Sequence, residues 1–218
     1  MIQTIKTYNL FHSIWDKLIF GFAVPVVIIL FHALVSLELA EMTITFTVVH
    51  TMYSEVMRDY FIFNGIYSRD SHHLILRSSY NGKKLFLRGI MSEHMRSLIH
   101  LFAVVMICTV ITSILNKPDL YYIPVNVIIT LTAYALYTIS INIVRYFDNF
   151  TLYPFIATPF IILAILCAIA LTFTGIKLGT PLLILFIVLA VVLSILVTAL
   201  SYLHAKRCYE NSFYDKGN

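Results

Sequence analysis

Long apolar stretches separated by short polar links limit what this chain can fold into. Each stretch is close to the roughly 20 residues that a helix needs to cross a bilayer core. Hydrophobic residues make up 60% of the 218 residues and charged residues only 12%. These features predict an all-α integral membrane protein with one membrane domain and six transmembrane helices. The predicted spans are 18–37, 42–63, 98–115, 124–144, 154–173 and 181–203.

The distribution of basic residues predicts the orientation of these spans. With both termini in the cytoplasm, twelve of the fifteen Lys and Arg residues fall on the cytoplasmic side, and only Lys117 and Lys177 fall outside. Arg58, the remaining one, lies near the inner end of the second span. Because basic residues concentrate in cytoplasmic links, this orientation is favoured over its mirror image.

Three regions are expected along the chain. Residues 1–17 form an N-terminal interfacial segment, 18–204 the membrane domain with a cytoplasmic loop at 67–96, and 205–218 a cytoplasmic tail. The apolar spacing before the first span fits a helix lying in the membrane interface. It fits equally well a helical extension of the first span with Trp15 at the membrane surface. No small-residue cleavage site follows that span, so it is expected to be retained rather than removed as a signal peptide.

Two predicted spans carry stripes of polar side chains, which are unfavourable in lipid and so avoid it. In the second span Glu55 and Asp59 lie four residues apart, and the spacing allows Arg58 to pair with Glu55. One interpretation is that the stripes line a translocation path, and the other is that they hold helices together. The path candidates are His50, Ser54, Glu55, Arg58, Asn126, Tyr134 and Tyr137.

Motifs for metal, cofactor or catalytic chemistry are missing from the sequence. Cys108, Cys167 and Cys208 have no paired spacing, and the histidines do not follow a metal-ligand interval. No G-x-x-x-x-G-K-[ST] motif occurs, so any use of ATP requires a partner chain. The basic residues flank apolar spans, which argues against nucleic-acid binding.

The segment from Arg69 to Arg96 holds six of the fifteen basic residues in one polar break between spans. Its charges alone satisfy the orientation rule and favour contact with anionic headgroups. Neither role requires the apolar approach at Leu74 and Leu76, the turn at Asn81-Gly82 or the basic helix that is predicted to start after that turn and lead into the third span. This pattern favours a docking element for a soluble partner.

The run LRSSYNGKKLFLRG in this segment resembles an element of small six-span permeases of the ABC-2 exporter class. In that family L-R-S-L-P-[IV]-S-[RK]-K-x-[IV]-[VL], preceded by an acidic residue, lies between spans 2 and 3. The opening Leu-Arg-Ser and the basic pair match, whereas Ser79 and Tyr80 replace Leu-Pro. The permeases of Gram-positive exporters of toxin peptides, including phenol-soluble modulins, are similar in size. The resemblance implies contact with a separate ATPase through Asp70, Arg77, Ser78, Lys83 and Lys84.

This resemblance implies a non-catalytic, multi-pass permease subunit in the plasma membrane. A partner ATPase would hold ATP and Mg²⁺, and a second permease subunit, identical or different, would complete the path. The expected cargo is amphipathic or hydrophobic, such as a peptide toxin. One alternative is an ion-coupled transporter that uses Glu55 and Asp59. Another is an intramembrane lipid-modifying enzyme with Glu55, Asp59 or His50 as acid or base.

Overall fold

The structure, a computed structural model, describes residues 13–37, 40–60, 80–116, 121–144, 152–173 and 178–211. These residues form helices, and no strand occurs among them. The elements are α1 (Ile14–Ser36), α2 (Ala40–Arg58), α3 (Gly82–Leu115), α4 (Tyr122–Val144), α5 (Tyr153–Phe173) and α6 (Thr180–Asn211).

Five of the six helices are long and apolar enough to cross a membrane, namely α1, α3, α4, α5 and α6. The prediction of an all-helical, multi-pass membrane protein is therefore confirmed. The second predicted span corresponds to α2, whose 19 residues include Glu55 and Arg58 and which is too polar to count among the five. Residues 61–63 of that predicted span lie outside the described residues.

α1 contains a local irregularity whose cause is visible in the sequence. A π-helical turn, Ile19–Ala23, joins the short helix Ile14–Leu18 to Val24–Ser36. Pro25 has no N–H and its ring crowds the preceding turn, so the wider turn relieves both effects. Ser13 caps the start by accepting a hydrogen bond from the backbone N of Asp16 at 3.1 Å. The described part of the predicted interfacial segment thus extends the first helix, and residues 1–12 lie outside the described residues.

α4 is the central helix of the bundle. It packs against α2, α3, α5 and α6, and 72% of its most apolar stretch is buried, compared with 17–28% in the other four apolar helices. Aliphatic side chains on the outer faces of α5 and α6 are exposed, including Leu166, Leu189 and Ile195. Exposed aliphatic faces are stable where the solvent is lipid.

α3 and α6 are longer than a bilayer core requires. They contain 34 and 32 residues, about 51 and 48 Å of helix, against a core of roughly 30 Å. Their excess lengths lie side by side and antiparallel. The rings of Phe86 and Tyr209 are 5.2 Å apart, and His94 Nε2 lies 2.7 Å from Ser201 Oγ. We call this paired region, 82–97 with 201–211, the helical extension.

The helical extension changes the description of the basic segment. From Gly82 to Arg96 this segment is the first half of α3, and its turn is at Tyr80 and Asn81. Lys83 Nζ pairs with Glu210 Oε1 at 2.5 Å, and both side chains are nearly half exposed. The extension therefore fixes the start of α3 and the end of α6 on the same side of the molecule.

The opposite side of the bundle is tied by two hydrogen bonds between helix ends. Asn116 Nδ2 donates to the carbonyl of Ser36 at 3.2 Å, which joins the ends of α3 and α1. The backbone N of Leu178 donates to the hydroxyl of Tyr121 at 2.9 Å, which joins the segments before α6 and α4. Successive helices thus run in alternating directions between two distinct ends of the bundle.

This arrangement predicts which positions share a membrane face. In a variant without native cysteines, Lys84→Cys and Arg207→Cys are expected to react with a membrane-impermeant maleimide from the same face, and the distribution of basic residues predicts that this occurs in inside-out vesicles only. Tyr122→Cys, at the opposite end of the bundle, is expected to react in right-side-out vesicles only. Labelling of Lys84→Cys and Arg207→Cys from opposite faces would contradict the antiparallel extension.

Candidate functional site

Charged and polar side chains from five helices meet beside the helical extension. We call this group the ionic cluster. Its members come from the start of α1, the end of α2, the middle of α3, the second half of α4 and the start of α5. They are Asp16, Glu55, Arg58, Asp59, Glu93, Arg96, Ser97, His100, Tyr137 and Tyr153.

Arg58 is the centre of one half of the cluster, and its side chain is only 1% exposed. Its Nε and Nη2 donate to the two oxygens of Asp16 at 3.1 and 3.2 Å. Its Nη1 donates to Glu93 Oε2 at 2.5 Å. The hydrogen bonds of Arg58 therefore go to Asp16 and Glu93, and not to Glu55 as its spacing would allow. One guanidinium instead joins α1, α2 and α3, because its fork can bind a carboxylate through two parallel hydrogen bonds and still donate to another.

Glu55 is the centre of the other half and is 1% exposed. Arg96 binds it through both terminal nitrogens, with Nη1 donating to Oε1 at 3.2 Å and Nη2 to Oε2. Ser97 donates to Oε2 at 2.8 Å, and His100 Nδ1 contacts Oε1. Arg96 Nε also donates to Glu93 Oε2 at 3.4 Å. Glu93 therefore links the two halves of the cluster.

Asp59 connects the cluster to α4 and α5. Tyr137 donates its hydroxyl to Asp59 Oδ2, and the hydroxyl of Tyr153 lies 3.4 Å from the same oxygen. Asp59 Oδ1 is 3.8 Å from Arg58 Nη1. Ser97 Oγ is also 3.3 Å from the Tyr137 hydroxyl. The carboxylates are thus held by hydroxyl groups as well as by guanidinium groups.

Helical spacing explains why these side chains converge. Glu93, Arg96, Ser97 and His100 occur at steps of three and four residues, which place them on one face of α3. The end of α2 faces that stripe. The sequence-based candidates included Glu55, Arg58 and Tyr137 but missed the α3 stripe. Its signal is visible where α3 enters the membrane: charged and polar residues recur with helical period immediately before the apolar stretch at 98–115.

Two other candidates from the polar stripes bond to neighbouring helices. Asn126 Nδ2 donates to Thr109 Oγ1 at 2.9 Å, which links α4 to α3. The hydroxyl of Tyr134 lies 2.9 Å from Thr198 Oγ1 of α6. These contacts favour the packing interpretation for Asn126 and Tyr134. Ser54 Oγ instead donates to the carbonyl of Thr51, on its own helix, at 2.8 Å.

The remaining candidates lie apart from the ionic cluster. His50 is exposed on α2, and its Nδ1 lies 2.7 Å from the carbonyl of Phe46. Lys83 and Lys84 are exposed in the first turn of α3. Asp70, Arg77 and Ser78, expected to contact an ATPase, lie outside the described residues.

The ionic cluster contains more acidic than basic groups. Its described members include four carboxyl groups, two guanidinium groups and the imidazole of His100. In the part of the chain that the structure describes, no group of three or more His, Cys, Asp or Glu side chains is placed to hold a metal ion. The arrangement is suited to holding helices together and to exchanging protons among buried carboxyl groups.

Comparison with known proteins finds no matching family model, curated protein or solved structure. The ABC-2 resemblance therefore rests on the sequence alone.

Removing one charge from the cluster is expected to destabilise the fold. Glu55→Gln removes the carboxylate that Arg96 binds through both terminal nitrogens and leaves only its longer contact to Glu93 at 3.4 Å, which should lower the free energy of unfolding by about 3 kcal/mol. Glu210→Gln removes a carboxylate from the exposed pair with Lys83 and should leave stability unchanged within error. Unfolding of both variants in detergent micelles, followed by circular dichroism, measures the difference. Equal stability of the two variants would contradict a structural role for the cluster.

Proposed function

We propose that this chain is the membrane-spanning subunit of an ATP-driven exporter in the cell membrane, and that it moves an amphipathic or hydrophobic cargo such as a peptide toxin. A separate ATPase docks on the segment between α2 and α3, and a second permease subunit completes the path. Both termini lie in the cytoplasm. The proposal retains the roles that the motif implies for Asp70, Arg77, Ser78, Lys83 and Lys84.

The observation that carries this proposal is the attachment of residues 61–79 at both ends. This segment follows Asp59 and Tyr60, and Asp59 contacts α4 and α5 through Tyr137 and Tyr153. It leads into α3, whose first turns pack against α6. A partner that displaces the segment would therefore pull on α2 and α3 directly. Such a linkage transmits hydrolysis by a partner to the membrane helices.

The placement of Lys83 and Lys84 also supports docking. Cationic side chains in the first turn of a helix oppose the helix dipole, which destabilises the helix by roughly 0.3–1 kcal/mol each. The charge of Lys83 is compensated by Glu210, but Lys84 has no ion-pair partner among the described residues. An acidic surface on a partner would compensate Lys84, so the residue pair fits a contact site better than a purely structural role.

The proposal includes a sixth membrane crossing by α2. Its 19 residues extend about 28 Å, close to the thickness of a bilayer core. Its first turns contact α1 near the end tied by Asn116, as shown by Thr47 Oγ1 lying 2.6 Å from His32 Nδ1. Its last turn enters the ionic cluster at the other end. Protein surrounds its polar side chains, which permits a polar helix to cross.

Co-purification tests the docking proposal. The tagged chain, solubilised from its native membrane, is expected to carry an ATPase that mass spectrometry identifies. Lys84→Glu should reduce the amount of ATPase recovered at least fivefold and abolish hydrolysis that depends on this chain, because it places a carboxylate against an acidic surface.

Two variants separate docking from folding. Arg207→Glu makes the same charge change elsewhere on the helical extension and should retain the ATPase. Lys83→Glu combined with Glu210→Lys preserves the ion pair in reverse and should still weaken docking. Recovery of the ATPase with all variants at the wild-type level would disprove docking at this segment, and absence of an ATPase from the wild type would disprove the exporter proposal.

A second candidate function, proton-coupled transport, is favoured by the excess of carboxyl groups in the ionic cluster. Glu55 and Asp59 are buried within one turn of each other, where an acidic side chain can bind and release protons. This candidate predicts that the chain alone, in liposomes without ATP, conducts protons inward under a pH gradient, as reported by an enclosed pH-sensitive dye. Asp59→Asn should abolish that signal, whereas Glu210→Gln should not. Proton flux that is equal in Asp59→Asn and wild type would exclude Asp59 as a carrier.

A further inference from the structure

A cavity of about 200 Å³ lies between α1 and α2, apart from the ionic cluster. Its floor is buried and includes Ile28, His32 and Thr47, whereas Phe31 and Phe46 at its mouth are 48% and 43% exposed. The cavity therefore opens sideways, away from the bundle. An apolar cavity of about 150 Å³ is enough to hold benzene, so this one has room for one aliphatic or aromatic group.

The two histidines that line this cavity differ in how their nitrogens are bonded. His32 is buried, with Nδ1 2.6 Å from Thr47 Oγ1 and Nε2 2.8 Å from Thr112 Oγ1. Both of its ring nitrogens are therefore satisfied. His50 contacts only the carbonyl of Phe46, through Nδ1 at 2.7 Å. Because a carbonyl can only accept, Nδ1 carries the proton and Nε2 of the neutral ring is an acceptor.

The Nε2 of His50 has no hydrogen-bond partner among the described residues, although aromatic rings surround the imidazole. The ring centroids of Phe31 and Phe46 lie 5.7 and 6.4 Å from that of His50. The result is an open acceptor at the mouth of an apolar cavity.

The depth of His50 decides which molecules can supply a donor. Its ring packs beside Phe31, which lies about 9 Å along α1 from the middle of that helix. With the middle of α1 at the bilayer midplane, both rings lie inside the roughly 15 Å half-thickness of a hydrocarbon core. Lipid headgroups and bulk water do not reach this depth. A polar group without a hydrogen bond is unfavourable at that depth. In membrane proteins, such groups are bonded by small polar side chains of neighbouring transmembrane helices.

We propose that this cavity binds one apolar side chain of a membrane-inserted helix from another polypeptide, and that a hydroxyl or amino group of the same helix donates a hydrogen bond to His50 Nε2. The cavity supplies the apolar contact, and His50 supplies selectivity for a helix with a donor at the matching depth. The site does not involve an ATPase, but it rests on the membrane crossing of α2 that is part of the proposed function.

The observations favour a helix of different sequence over a second copy of this chain. A twofold axis at the cavity would bring His50 opposite His50, and two Nε2 acceptors cannot bond each other without an added proton. The exposed faces of α5 and α6 are predominantly aliphatic, so they offer the cavity side chains but few donors.

Binding of designed helices to the full-length chain in nanodiscs tests the proposal. The probes are a labelled 20-residue Leu-Ala transmembrane helix with one central Ser and the same helix with Ala at that position. Energy transfer from the labelled protein measures binding. The Ser helix is expected to bind about threefold to tenfold more tightly, the range expected for one interhelical hydrogen bond in a membrane.

Three variants identify the site. His50→Phe keeps an aromatic ring but removes the acceptor, and should abolish the preference for Ser. Val35→Trp fills the cavity and should weaken the binding of both probe helices at least fivefold. Val26→Trp makes the same change on α1 outside the cavity lining and should leave the binding of both probe helices unchanged. Circular dichroism confirms that all three variants are folded.

Two outcomes would overturn the proposal. A preference for Ser that survives His50→Phe would remove His50 from the site. Efficient disulfide crosslinking of two copies through His50→Cys, unaffected by either helix, would assign this face to a homodimer. Weaker binding of the Ser helix to Val35→Trp, together with loss of the preference for Ser over Ala in His50→Phe, would support the site.

Discussion

The burial of Arg58 is the constraint on which the rest of the structure depends. A guanidinium that is 1% exposed requires counter-charges, because removing an unpaired ion from water costs several kcal/mol. Asp16 at the start of α1 and Glu93 on α3 supply them. Three helices that are distant in sequence must therefore meet at one point. Any arrangement that separates them would leave a charge without a partner in a medium of low dielectric constant.

The position of this junction gives the bundle its asymmetry. One end carries the ionic cluster and the helical extension, whereas the other is tied by single hydrogen bonds from Asn116 and to Tyr121. The end of α2 and the start of α3, which flank the segment between them, both lie at the charged end. A load applied to that segment would be transmitted through ion pairs and packed aromatic rings. This is the physical basis for placing an energy-supplying partner there.

His32 and His50 show how tertiary position determines the role of a residue type. Two threonine hydroxyls from different helices satisfy the nitrogens of His32 and make it part of the packing. His50 lies within one turn of the α2 threonine that His32 contacts, but its ring turns outward and keeps one acceptor open. Their neighbours in sequence do not distinguish them. The difference comes from α3, which reaches His32 through Thr112 and does not satisfy His50.

The membrane class and most helix positions could be predicted from the sequence because hydrophobicity and helical period are local properties. The first span, the central helix α4 and the two aliphatic helices at the end of the chain follow this rule. The basic helix start after Asn81 was also predicted, because a turn residue there precedes basic and apolar residues that lead into the third span. What the sequence did not show is that this start packs against Ala205 and Tyr209, more than a hundred residues later.

The sequence by itself determined that this chain belongs in a membrane, where its helices fall and which face its basic residues favour. Tertiary structure decided the pairing of the charges. The spacing would allow Arg58 to bind Glu55, three residues earlier on the same helix, but it binds Asp16, 42 residues away, while Arg96 takes Glu55. Local spacing shows which side chains can meet on one helix. The choice between partners depends on which helices pack together, because a buried charge is stabilised by whichever opposite charge the fold brings within reach.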